Sequence, residues 1–312
     1  MYQAVLNEIT AHDTIILYRH SRPDGDAMGC QIGLKLLLQE NFPGKTIYAP
    51  GDFSAVAGFE GVMPDEVPDE AFHGALAVIL DCGAAHLISD GRWKTAARTV
   101  RLDHHIFTGR IADVEVVDTS FESCSGMVTE LACCCNLRLT PAAAKALYSG
   151  MVADSGRFRF DYTTARTFRL AAVLMEQGLD LNDIYRDLYA QPIEEKKLTA
   201  QFVLKSKMTP NRVAYIYTTK EEVAQLQVDA FTVSRSMANI LSDTRNTVIW
   251  VNFTESDSGV LCELRSCGPN INPIAVKYGG GGHAKASGAA VADRETAMQM
   301  LQELDKLAGD WQ

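Results

Sequence analysis

Acidic and imidazole side chains recur in this chain directly after short apolar runs. R-H-S-R-P-D-G-D supplies His20, Asp24 and Asp26, and L-D-C-G supplies Asp81. L-D-H-H supplies Asp103, His104 and His105, and A-D-S-G supplies Asp154. Taken singly, each has an ordinary explanation. Pro23-Asp24-Gly25-Asp26 reads as a turn, because Pro fixes φ, Gly accepts φ > 0 and Asp bonds its own backbone. Asp81 reads equally well as a helix N-cap, and a buried His is commonly a satisfied core residue. Asp154, at the end of an expected helix, is less ordinary, since a negative charge there opposes the helix dipole.

Together they are harder to explain as scaffold. Carboxylates and imidazoles crowded into one place repel unless cations neutralise them. Oxygen-rich sites with some imidazole suit Mn²⁺ or Mg²⁺, whereas zinc prefers thiolate or several histidines. Two such ions about 3.5–4 Å apart activate a water and stabilise the attacking and leaving oxygens at a phosphoryl centre. The chemistry to expect is hydrolysis of a phosphate ester.

The elements that must gather these groups follow from the apolar pattern. Strands are expected at Thr14–Tyr18, Ala75–Leu80, Thr99–Leu102 and Val114–Val117, alternating with helical stretches. That alternation predicts an α/β fold, a parallel sheet with helices on both faces. A helix from about Ala27 to Gln39 carries Gly29 and Gly33 on one face, where small residues allow close packing on the sheet. Thr140-Pro141 starts a second helix, and a third runs from about Thr164 to Glu176, stopped by Gly178. In such sheets ligands bind beyond the carboxyl ends of the strands, so residues from His20 to Asp154 are expected at one edge. A polar, charged stretch around Pro192 predicts a helical linker over 186–205 between a metal-binding domain at 1–185 and a smaller α/β domain at 206–312. In the latter, Val213–Tyr217, Val248–Phe253 and Val260–Leu264 read as strands and Glu295–Leu307 as a closing helix.

The composition bounds the partners. The 312 residues are 47% apolar and 22% charged, with a formal net charge of −10. That charge repels long polyanions, and no basic stripe offers them a track. The sequence shows no run near a membrane span's length and no secretory signal at its start, so a cytoplasmic protein is expected. The eight cysteines lack paired zinc spacing and read as buried thiols in a reducing compartment.

The four acidic and histidine motifs resemble those of the DHH phosphoesterases, a family called after its Asp-His-His signature. G-G-G-G-H-A-K-A-S-G-A, from Gly279 to Ala289, looks like the hallmark of the DHH-associated domain of one branch, the NrnA-type oligoribonucleases and pAp phosphatases. The resemblance covers nearly the whole chain. It implies one metal at His20, Asp24 and Asp81 and a second at Asp26, Asp81, His104 and Asp154, with Asp81 bridging. It further implies catalytic roles for Asp81, His105 and Asp103. His105 would face the substrate phosphate and Asp103 would orient an imidazole.

Two further segments read as a substrate clamp. Gly279, Gly280, Gly281 and Gly282 let a backbone approach a ligand closely, and successive N–H groups in such a loop form an anion-binding nest; a flexible turn is the plainer reading. His283 follows as a hydrogen-bond donor to phosphate. Arg265 resembles the family's arginine that grips a terminal phosphate, where a planar guanidinium suits a monoester, although a surface ion pair with Glu263 also fits. Arg157-Phe158-Arg159-Phe160 alternates basic with aromatic, as either a base-stacking platform or a half-buried strand.

The expected substrates are short RNA oligonucleotides and dinucleotides such as pApA, with a clamp across a cleft from the metals measuring length. A dedicated pAp phosphatase, a cyclic-dinucleotide phosphodiesterase and a nucleotide-binding regulator are the alternatives. Inorganic pyrophosphatase shares the metal motifs but lacks this Gly-rich clamp. A homodimer is the assembly carried forward.

Overall fold

The computed structural model describes residues Met1–Trp311 and separates into two compact units, Met1–Ala190 and Gln191–Gln312. The first unit contains five strands, β1 (Thr14–Tyr18), β2 (Thr46–Tyr48), β3 (Leu76–Leu80), β4 (Arg98–Asp103) and β5 (Val114–Val117). Its helices are α1 (Tyr2–Ala11), α2 (Gly25–Asn41), α3 (Cys124–Cys134), α4 (Pro141–Asp154), α5 (Ala165–Met175) and α6 (Leu181–Tyr189). All strand pairs are parallel, in the order β2-β1-β3-β4-β5.

Strand β3, Leu-Ala-Val-Ile-Leu, shows why these runs are continuously apolar. Leu76, Val78 and Leu80 pack with helix residues such as Leu34, Met127 and Leu147 on one face. Ala77 and Ile79 face the other way, onto Val67, Phe72, Ile88 and Trp93. Successive strand residues point to opposite faces, so a sheet covered on both sides must be apolar throughout. The second face is covered by chain containing three short 3₁₀ helices, Asp69–Phe72, Ala85–Leu87 and Gly91–Thr95. Strand β2 was absent from the sequence reading because three residues at a sheet edge leave too little pattern.

Helix α2 begins two residues earlier than its apolar pattern predicts, because the Asp24 side chain accepts the N–H groups of Asp26 and Ala27 and caps it. Gly29 and Gly33 do not pack on the sheet, as expected, but on α4. A Cβ at Gly29 would lie 2.7 Å from Ala146 O and 2.8 Å from Gly150 Cα, and one at Gly33 would lie 2.5 Å from the Leu147 side chain. The helix that starts with the acidic loop is thereby drawn against the helix that ends in Asp154.

The region expected as one linker is divided between the units. Ile184 and Leu188 of α6 join the first core, whereas α7 (Ile193–Leu204) places Phe202 in a core of the second. The helices break between them at Ala190–Pro192, where Pro192 precedes the first residue of α7.

The second unit adds α8 (Lys220–Gln225), α9 (Ala230–Ser236), α10 (Asn272–Lys277) and α11 (Arg294–Trp311). Its strands are β6 (Lys207–Met208), β7 (Ala214–Thr218), β8 (Ile249–Ser256), β9 (Gly259–Ser266), β10 (Gly281–His283) and β11 (Ala286–Val291). They form one mixed sheet, β10-β11-β9-β8-β7-β6, in which only β7 and β8 are parallel. Apolar clusters fill both faces, one around Phe253, Leu264 and Met300 and one around Phe202, Ile216 and Trp250.

All eight cysteines are free thiols. Cys30, Cys82, Cys124 and Cys262 are buried as expected, but Cys133, Cys134 and Cys267 are exposed and Cys135 is half-buried. Three consecutive residues on one helix end cannot all face the same core. Among the described residues, no helix is long and apolar enough to cross a membrane.

The contact between α2 and α4 yields a stability prediction. Because backbone atoms cannot retreat as a side chain does, Gly29→Ala must part the helices. Overpacking of this kind costs about 1–3 kcal/mol, so the first unit's melting temperature is expected to fall by about 2–12 °C, read by circular dichroism.

Candidate metal centre

Strands β1, β3 and β4 lie side by side, and their carboxyl ends deliver His20, Asp81 and the Asp103-His104-His105 run. The first turn of α2 adds Asp24 and Asp26, and the last residue of α4 adds Asp154. The six metal ligands predicted from the sequence therefore converge. Three groups are close enough to hold an ion, with ligand atoms within 4.8 Å of one another: His20, Asp24 and Asp81; Asp26, His104 and Asp154; and Asp81, His104 and His105.

Asp81 sits at the middle. It is 2% exposed and adopts φ +50°, a left-handed conformation that is uncommon outside glycine and is found at sites where the surroundings enforce it. It caps no helix. Its Oδ2 lies 3.6 Å from His20 Nε2 and its Oδ1 lies 3.4 Å from His104 Nε2, too far for good hydrogen bonds. Oδ1 is buried without a hydrogen-bond partner. A buried carboxylate oxygen left unpaired is costly, and a divalent ion between it and the imidazoles would satisfy it.

The imidazoles are already set for such a role. His20 Nδ1 donates to Ser21 O at 2.8 Å and His104 Nδ1 to Phe121 O at 3.3 Å, leaving each Nε2 turned to the carboxylates. A ligating His almost always donates its other N–H in this way. His104 Nε2 lies 3.3 Å from Asp154 Oδ2 and 3.9 Å from Asp26 Oδ2.

Asp26, 1% exposed, is held by backbone groups that the sequence reading missed. Cys124 N and Ser125 N donate to its two oxygens at 2.6 and 2.9 Å, so the N-terminus of α3 points at it. The Ser123 side chain caps that helix by accepting Gly126 N, and E-S-C-S-G carried this signal as a serine N-cap. Beneath Asp26, a Cβ at Gly150 would lie 3.0 Å from Asp26 Oδ1, so a glycine leaves room for the carboxylate.

Charge crowding perturbs Asp26, Asp81, Asp154, His20 and His104. Burial, with Asp81 and Asp154 close by, pushes Asp26 well above the carboxylate range. Burial also raises Asp154, to about 7, with Asp81 and Asp24 adding to it. Burial opposes charge on Asp81 too, but the imidazoles of His104 and His20 outweigh it and hold that carboxyl low. His20 is raised to about 10 by the neighbouring carboxylates of Asp24 and Asp81. His104, although burial works against its charge, is also raised to about 10 by Asp81, Asp26 and Asp154.

His105 is oriented by Asp103, whose Oδ1 accepts its Nδ1–H at 2.8 Å, and its side chain is half exposed. Asp103 is fully buried and bonded to Arg101. Sequence reading missed Arg101, although an arginine within the apolar run T-V-R-L-D was the signal. The Arg157–Phe160 segment is neither a strand nor a uniform aromatic shelf. Arg157 and Phe158 have positive φ; the Arg157 guanidinium lies 3.8 Å from the centre of the Tyr189 ring, and Phe158 packs between Tyr148 and Phe168. Phe160 is exposed.

The clamp residues occupy the second unit. Arg265, Gly281, Gly282 and His283 line a cavity of about 540 Å³, together with Phe231, Arg235 and Glu263. The glycine run is not an anion-binding loop throughout. Gly279 N and Gly280 N donate to Val276 O and Ala275 O at the end of α10, and Gly281–His283 is an edge strand paired with Ala286–Gly288. Glycine is required at 282 because φ is +133° and a Cβ would meet Ala286 O. Arg265 does pair with Glu263, at 3.1 Å, and Glu263 also takes Arg235 Nε at 3.3 Å. Arg235 and Phe231 gave no sequence signal, since α9 is short and lies outside every motif.

Fold and site together define a metal-dependent phosphoesterase of the two-domain DHH type. Residues 14–151 match the DHH family, N-terminal domain, and residues 215–310 match the DHHA1 domain; the chain belongs to the DHH family. It is 33% identical over 310 residues to the Bifunctional oligoribonuclease and PAP phosphatase NrnA of Bacillus subtilis, covering 98% of each chain. It is 32% identical over 311 residues to the Probable bifunctional oligoribonuclease and PAP phosphatase NrnA of Streptococcus mutans, covering 98% of this chain and 99% of that one. Among solved structures, an exopolyphosphatase-related protein from Bacteroides fragilis superposes with a TM-score of 0.84 at 23% identity, over 99% of this chain and 97% of that one. The last likeness is one of fold.

The raised imidazole and carboxyl values fix the sign of a pH effect. Groups that carry protons at neutral pH in the metal-free form must lose them to ligate. Mn²⁺ binding is therefore expected to release protons and to tighten as pH rises from 6 towards 8. Calorimetry in buffers of different ionisation enthalpy reads this directly; buffer-independent heats would contradict it.

Proposed function

We propose that this enzyme hydrolyses short oligoribonucleotides and dinucleotides such as pApA to mononucleotides, and also removes the 3′-phosphate of pAp. The observation that carries the reading is the buried Asp81, its unpartnered oxygen flanked by two ligand groups at a sheet edge. The likeness to the two NrnA relatives, matched over 98% and 99% of their length and named for oligoribonuclease and PAP phosphatase activity, favours the nucleotide substrates and supplies the reason for including pAp.

His20, Asp24 and Asp81 would hold one divalent ion and Asp26, Asp81, His104 and Asp154 a second, Mn²⁺ or Mg²⁺ by their donor chemistry. Bound there, such ions make a nucleophile available at neutral pH and neutralise charge developing on phosphorus. The chain's own contribution is placement. Asp26 is fixed by two backbone N–H groups, so its carboxylate cannot rotate away from the cluster. His105, tied by Nδ1 to Asp103, presents Nε2 to a non-bridging phosphate oxygen, and its proton stabilises the charge that grows there. Arg265, with Gly281, Gly282 and His283, binds the distal phosphate of the nucleotide. Gly279 and Gly280 keep their place in the clamp as backbone spacers, their N–H groups being committed to α10.

A few local guanidinium and imidazole groups suffice for a small anion, which reconciles the substrate with a net charge of −10. Long nucleic acid would meet that charge without a basic track. Exposed free thiols at Cys133, Cys134 and Cys267 fit a reducing compartment, and a cytoplasmic enzyme is proposed.

Incubation of the Mn²⁺-loaded enzyme with pAp, pApA and a labelled short RNA, resolved by length and end chemistry, tests the substrates. Mononucleotide products are expected, and no turnover of any of the three would refute the assignment. Chelation is expected to abolish activity, with Mn²⁺ restoring it better than Ca²⁺. Arg265→Ala is expected to raise KM by about 10-fold or more through loss of a charge-assisted bond, with a smaller change in kcat.

A further inference from the structure

Arg101 is the largest fully buried side chain among the described residues. Removing a guanidinium from water costs several kcal/mol, and arginine cannot shed its charge to avoid that cost. Its presence inside β4 therefore needs partners, and they are few. Nη2 lies 2.5 Å from Asp103 Oδ2, Nη1 donates to Gly109 O at 3.3 Å and lies 3.5 Å from Glu115 Oε1, and Nε is unpartnered.

The two ends of the Asp103 carboxylate are thereby divided. Oδ2 belongs to Arg101, while Oδ1 accepts both the His105 ring Nδ1–H at 2.8 Å and the His105 backbone N–H at 3.3 Å. Residues 101 and 103 share a face of β4, being two apart in a strand, so the guanidinium meets the carboxylate without distortion. Glu115 in turn accepts Ile111 N at 2.8 Å and Ala112 N at 3.2 Å. Arg101 thus grips Asp103 before His105 and the segment 109–115 after it.

We infer that Arg101 is a positioning residue, which fixes the plane of the Asp103 carboxylate and through it aims His105 at the substrate phosphate. The inference rests on the proposed role of His105. A rival account makes Arg101 a packing element, because its contacts to Gly109 and Glu115 would hold the loop whether or not His105 took part. The two accounts differ in what happens once His105 is gone.

The test is a double-mutant cycle on the full chain with a dinucleotide substrate, comparing wild type, Arg101→Met, Arg101→Lys, His105→Ala and the combined variants. Thermal melting and Mn²⁺ affinity are measured alongside kcat and KM. Arg101→Met is expected to lower kcat by about 10–100-fold, the usual effect of removing a partner one shell away from a site. KM and Mn²⁺ affinity should stay within about 3-fold, and Arg101→Lys should recover part of the loss by keeping the charge. In the His105→Ala background the Arg101 substitutions should change kcat by less than about 2-fold, because residues acting as one unit are not additive. Should Arg101→Met fail to fold, the same cycle run with Arg101→Lys carries the test.

A full additional loss in the His105→Ala background, or parallel loss of Mn²⁺ affinity and kcat, would overturn the inference while leaving the function standing. Wild-type kcat in His105→Ala would instead remove the role of His105, and the inference with it.

Discussion

One buried carboxylate without enough partners organises the catalytic unit. Asp81 ends a fully apolar strand, is nearly inaccessible and keeps an unpaired oxygen. Packing alone would never select such an arrangement, because the alternative of a neutral or exposed residue is available at any strand end. The surrounding structure instead holds Asp81 in a left-handed backbone conformation and brings His20 and His104 to its two oxygens. Each imidazole has its second nitrogen committed to a carbonyl, so neither can turn away. Every nearby element then acquires a reason: adjacent parallel strands supply the tips, and α2 and α4 supply carboxylates from opposite ends of two closely packed helices.

That helix contact links scaffold to chemistry. Gly29, Gly33 and Gly150 let α2 and α4 approach until backbone nearly touches backbone. The approach sets the separation of Asp26, in the first turn of α2, from Asp154, at the last residue of α4. Burial and neighbouring carboxylates make a charge on either unfavourable, and on Asp154 it would also oppose the dipole of its own helix. Asp26 is compensated by the N-terminus of α3, where donors converge on it. Asp154 has no such helix end, and depends on His104 and on whatever cation the cluster holds. The cluster is thus unequal by construction, with one carboxylate locked and the other left to respond to its surroundings.

Much of this was legible in the sequence, for a physical reason. Strands buried on both faces leave uninterrupted apolar runs, as β1 and β3 do, and β4 and β5 keep enough of that pattern to be read, so polar residues directly after the strands had to sit at their tips. The six ligands could be gathered on paper because a parallel sheet sends all its carboxyl ends to one edge. What failed to show was whatever depends on pairing across the chain. The glycines of α2 were read against the sheet because sequence shows that a face is small but not what it meets. The Gly279–Gly282 run looked like an anion loop because permissive φ is common to nests and to hairpins. Cys133–Cys135 were read as buried because they lack the spacing of a zinc site, whereas a helix can bury only one side.

Arg101 shows how a residue can be plainly visible and still go unread. An arginine in an apolar strand invites the bland reading of an edge position with its head in water, and only in the folded protein is its head seen to be dry. A permanent charge in that place demands an anion, Asp103 answers it, and the other oxygen of Asp103 is then constrained to a single direction, towards His105. The strand's alternation makes this relay almost free of strain, since positions 101 and 103 share a face while His104, between 103 and 105, is sent to the metal cluster. Under the proposed mechanism one short run of chain would therefore serve two chemical tasks, cation binding by His104 and contact with the phosphate by His105. The buried guanidinium bears on His105 alone, through Asp103, while the Phe121 carbonyl holds His104.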